Sequence, residues 1–102
     1  MARIRTIKPQ FWINEELGTV PRDARLLYIG LWNIADDRGV FQWRPGQILI
    51  QLFPYDRELS PANIEEWLSK LEGINDIVKF EEDGKEFGYI PNFSKHQDIK
   101  KR

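Results

Sequence analysis

Between residues 60 and 90 the apolar positions change period once, from a helical repeat to alternation. Ile64, Trp67, Leu68 and Leu71 recur at i, i+3, i+4 and i+7, which predicts one amphipathic helix over residues 61–72. Ser60 suits its N-cap, Pro61 its first turn and Gly73 its stop. Residues 77–82 and 85–90 then flank Asp83-Gly84, the dipeptide of a two-residue hairpin. Upstream, residues 22–36 are apolar on nearly every side, predicting a central helix in which Gly30 marks the close approach of another backbone. Asp36-Asp37-Arg38-Gly39 reads as a turn and Val40-Phe41 as a short strand pairing with the hairpin edge. Arg44-Pro45-Gly46 opens a further helix carried by Ile48, Leu49, Leu52 and Phe53. A first short helix runs from Lys8-Pro9 to Leu17, anchored by Phe11 and Trp12 and ended by Gly18. Residues 1–8 form an extended arm that Ile4 and Ile7 help to order.

The predicted order is helix, helix, strand, helix, helix, strand, strand. It describes an α+β fold, mostly α: a winged helix-turn-helix with an N-terminal arm, a short extra helix and a small antiparallel β-wing. Residues 1–93 form this domain and 94–102 a basic tail or the start of a linker. A chain of 102 residues suits one domain with its own core. Its 41% apolar and 30% charged residues are ordinary for a globular protein. The absence of cysteine excludes disulfides, zinc fingers and thiol nucleophiles, and fits a reducing compartment. No apolar run approaches a membrane span, and no apolar segment follows the N-terminal cations as a signal peptide requires.

The net charge of −1 hides a division. Residues 1–10 and 94–102 carry +3 each, leaving −7 between them. Basic ends on an acidic body point to phosphate. The candidate contacts are Arg3, Arg5 and Lys8 in the arm, Arg44 at a helix start, and Lys95, Lys100, Lys101 and Arg102 in the tail. In a winged helix the helix over 61–72 would enter the major groove, presenting Ser60, Asn63, Ser69 and Lys70, and Lys85 would sit on the wing. That helix is acidic, however, with Glu65, Glu66 and Glu72 against Lys70, a poor match to phosphate. The wing is also acidic, and is expected to complete the core with Val78, Phe80, Phe87 and Tyr89. Catalysis is not expected. His96 is the only histidine, Asp36 and Asp37 read as turn formers, and the glycines are dispersed, so neither metal nor cofactor is implied.

Residues 1–12 (Met-Ala-Arg-Ile-Arg-Thr-Ile-Lys-Pro-Gln-Phe-Trp) resemble the opening of a family of bacteriophage and prophage replication proteins. The resemblance continues at residues 24–33 and 35–39, at 51–56 (Gln-Leu-Phe-Pro-Tyr-Asp) and at 90–97 (Ile-Pro-Asn-Phe-Ser-Lys-His-Gln). The family is similar to the N-terminal winged-helix region of phage replisome organisers and DnaD-like primosome proteins. It implies binding of duplex or single-stranded DNA, self-association into a homo-oligomer, and handover to a helicase loader or helicase, in the cytoplasm of a bacterial host and without a membrane partner. Two other readings stand beside it. One is a winged-helix oligomerisation module, motivated by Ile4, Ile7, Phe11 and Trp12 docking on a neighbour. The other is a transcriptional regulator.

Overall fold

The computed structural model describes residues 3–97. Its elements are α1 (Gln10–Ile13), a 3-10 turn (Leu17–Thr19), α2 (Arg22–Ile34), β1 (Val40–Gln42), α3 (Pro45–Leu52), α4 (Pro61–Gly73), β2 (Val78–Glu82), β3 (Lys85–Tyr89) and α5 (Phe93–His96). They form a small α+β fold in which the strands make one antiparallel sheet of order β1-β3-β2.

Helices α2 and α3 both pack on α4. Leu27, Leu31 and Trp32 on α2 are buried in one core with the predicted stripe of α4, Ile64, Trp67, Leu68 and Leu71. Ser60 and Asn63 close the start of α4 as a capping box. Its end differs from expectation. Gly73 stays helical, and Asn75, at φ 63°, is the left-handed residue. Asp76 N–H donates to Leu71 O and Asn75 N–H to Glu72 O, both at 3.0 Å, the paired bonds of a Schellman stop. At Gly30 the close neighbour is a side chain rather than a backbone: an added Cβ would lie 2.5 Å from Leu52 Cδ1.

The first helix is shorter than its pattern suggested. Asn14 leaves the helical region, its Oδ1 accepts from Leu17 N–H, and Gly18 falls inside the 3-10 turn. Phe11 is buried as expected, but Trp12 is 68% exposed. Helix α2 also stops earlier, at Ile34, because Asp36 is taken by the next turn. Its Oδ1 accepts from the N–H groups of Arg38 and Val40, and Gly39 takes φ 84°.

The hairpin forms around Asp83-Gly84, at φ 53° and 76°. It turns the opposite face inward from the one expected. Gly88 on β3, Ile90 just after it and Ile77 just before β2 are buried, whereas Val78 and Tyr89 are 44% and 40% exposed. Phe41 of β1 decides this. It pairs with Gly88, and its ring fills the space a Cβ there would need. Phe80 and Phe87 stack at 5.5 Å on the outer face. Residues 93–97 pack on the folded body, with Phe93 and Gln97 buried. Gln97 Oε1 accepts from Thr6 N–H at 2.7 Å while its Nε2 donates to Thr6 O at 2.9 Å.

Candidate nucleic-acid interface

Residues 3–8 lie as a strap across the C-terminal end of α2. Arg3 N–H donates to Asn33 O at 2.7 Å, and Asn33 Nδ2 donates back to Arg3 O at 2.6 Å. Arg5 donates from Nε to Trp32 O (2.9 Å) and from Nη2 to Ala35 O (3.0 Å). It also lies 3.2 Å from Asp37 and over the Phe93 ring. Carbonyls at a helix end lack intrahelical donors and carry the negative end of the dipole, so a guanidinium fork suits them. With its side chain 8% exposed, Arg5 serves as a fastener and not as the surface cation its charge suggested. Ile4 and Ile7 do not order the strap by burial, being 98% and 43% exposed. Polar bonds hold it instead.

The strap brings Arg3 to the lining of a cleft of about 410 Å³ that Arg44 also lines. Arg3 is half-exposed and 3.4 Å from Asp37. Arg44 is exposed at the N-cap of α3, where Pro45 occupies the first helical position. The cleft runs along β1 and α3 and is lined further by Gln42, Gln47, Gln51 and Phe87. Each guanidinium fork is of a kind that suits a phosphate. Amides along the wall can donate and accept at base edges. Sequence reasoning named both arginines and missed the three glutamines. Gln47 and Gln51 are i, i+4 neighbours on α3, a spacing that places them on one face.

The other candidates are distributed elsewhere. Ser60 N–H donates to Asn63 Oδ1 at 2.9 Å and Ser60 Oγ to the same atom at 3.3 Å, so both residues serve the helix start. Ser69 and Lys70 are exposed on α4, and Lys85 is exposed beside the hairpin turn. Glu65, on the same helix, accepts from Trp43 Nε1 at 3.0 Å. Lys8 lines a second pocket of about 430 Å³ with Tyr28, Trp32 and Asp76. There burial, helped by the charge of Glu16, pushes the Asp76 carboxyl up to about 6. Burial first, then the charge of Asp76, pushes the Tyr28 phenol up as well. The Lys95 side chain and residues Lys100, Lys101 and Arg102 lie outside the described residues.

Among the described residues no group of three or more histidine and acidic side chains could hold a metal ion, and no helix is long and apolar enough to cross a membrane. Comparison with protein-family models, curated proteins and solved structures finds no match.

Proposed function

We propose that this chain is a winged-helix domain that binds DNA and assembles in the initiation of bacteriophage genome replication. The observation that carries the fold reading is topological. A helix, a short strand, two helices and a hairpin, with the first strand paired to the last, support a winged-helix reading of this α+β fold. The eight-residue connection between α3 and α4, residues 53–60, is longer than the turn of a minimal helix-turn-helix. The replication role rests on the resemblance of residues 1–12 and 90–97 to phage replication proteins. It carries with it a homo-oligomer and a helicase loader or helicase as partners.

The cleft between the strap and α3 supports phosphate contact through Arg3 and Arg44, with the glutamine amides beside bases. Lys70 and Ser69 contribute from α4 at the margin, since the acidic residues of that helix disfavour a full groove fit. Affinity for duplex and single-stranded oligonucleotides, measured by anisotropy over a salt series, tests this. Arg3→Ala and Arg44→Ala should each weaken binding without regard to sequence and reduce the salt slope by about 1. Arg3→Ala removes only an exposed ion pair, which contributes little to folding. Absence of binding at low salt, or unchanged slopes in both variants, would remove the cleft from any such interface. A footprint on a promoter palindrome, with none on a phage origin, would move the role to transcription.

A further inference from the structure

We propose that a second copy of this chain joins the sheet at β2, antiparallel to the first, with Phe80 on the two-fold axis. The proposal rests on the assembly part of the reading above and gives it a surface and a register, while it does not depend on nucleic-acid binding. It starts from the sheet order, which among the described residues leaves β2 with a single neighbouring strand.

Backbone parity fixes which residues face the open side. The two-residue turn at Asp83-Gly84 makes Glu82 and Lys85 a hydrogen-bonded pair, and with it Phe80↔Phe87 and Val78↔Tyr89. The other side of β3 agrees. Trp43 N–H donates to Glu86 O at 3.0 Å and Ile90 N–H to Gly39 O at 2.9 Å, so the even-numbered residues of β3 face β1. The amides and carbonyls of Lys79 and Glu81 therefore point out from the free edge.

Two copies can pair only edge residue to edge residue. Three registers bring these positions together. One sets Lys79 opposite Lys79 of the second copy, and one sets Glu81 opposite Glu81. Like charges directly opposite are destabilising. The third, centred on Phe80, sets Lys79 opposite Glu81 on both sides of the axis. It also answers an imbalance within one chain. Glu81 stands opposite Glu86, and Lys79, 3.1 Å from Glu86, already pairs with that one of the two carboxylates. A second Lys79 would meet Glu81. On the outer face the half-buried Phe80, stacked on Phe87, would meet its counterpart across the axis. Charges on an exposed edge normally repel stray strands. Here they exclude two registers and favour one.

Sedimentation of the full chain over a concentration range should show a reversible monomer–dimer equilibrium. Lys79→Glu and Glu81→Lys should each be monomeric, and their equimolar mixture should recover the dimer, because an all-acidic edge then faces an all-basic one in the same register. Lys79 also lies over the Trp43 ring, so a second pair of variants avoids it. The chain has no cysteine. Residues opposite each other at a non-hydrogen-bonded position have Cα atoms about 4.5 Å apart, within disulfide reach. Phe80→Cys should therefore cross-link to itself under mild oxidation. Val78→Cys, whose counterpart lies four residues or about 13 Å along the strand, should not. A chain monomeric at every concentration, a mixture that stays monomeric, or Val78→Cys cross-linking as fast as Phe80→Cys would overturn the proposal.

Discussion

Arg5 and Asp76 show how burial changes what a charged side chain does. Arg5 gives its fork to two carbonyls at the end of α2. Arg5→Lys should cost about 2 kcal/mol in urea unfolding, since an ammonium cannot serve both acceptors from one planar group. Asp76 acts through protonation. Its carboxyl titrates near 6 in the folded chain against 3.8 ordinarily, so the folded form binds the proton more tightly. The stability this adds is complete below pH 3.8 and is lost as pH rises through about 6. Asp76→Asn should raise the melting temperature at pH 7.5 and leave it nearly unchanged at pH 4. Neither role follows from the linear sequence. Arg5 looks like any basic residue of a charged terminus until α2 ends beside it. Asp76 is raised by a pocket assembled from α1, α2 and the end of α4. The Arg3–Arg44 half of the candidate cleft was readable as charge. The glutamine half required knowing that α3 lies along β1.

At the scale of elements, helix α4 and the hairpin were legible because their signals are local. One is a four-residue apolar stripe, the other an Asp-Gly turn. The inward face of the hairpin was not. The large apolar residues within β2 and β3, namely Val78, Phe80, Phe87 and Tyr89, all lie on one face, so alternation pointed to that face, and the non-local pairing of Phe41 with Gly88 turned the other one inward. Gly88→Ala should thus destabilise by about 1–3 kcal/mol, the cost of forcing a methyl into a filled core. The stop of α4 was misplaced by two residues for a related reason. Glycine is the commoner left-handed residue, but asparagine also tolerates that conformation, and here Asn75 takes it. Asn75→Ala should cost about 1 kcal/mol, whereas Asn75→Gly should be close to neutral. Chemical denaturation of the pair separates backbone strain from lost side-chain contacts.

For the whole molecule, the sheet divides the surface. The β1 edge borders the cleft that holds Arg3 and Arg44, and among the described residues no strand pairs with the β2 edge. The proposed DNA contact and the proposed self-association would therefore occupy opposite edges of one sheet, and a dimer through β2 would leave both clefts accessible. The long-range bond between Thr6 and Gln97, 91 residues apart in sequence, closes the strap onto the body. Gln97→Ala should speed amide exchange at Thr6 while leaving α4 protected, because it opens a local unit and not the core. The same bond sets an order on biosynthesis. A translating ribosome adds roughly 5–20 residues per second, so Thr6 waits some ~5–20 s for its partner to be made. Arg5 finds its carbonyls on α2 early, and the nascent chain carries its N-terminal segment fastened at one point but unlatched at the other until Gln97 emerges.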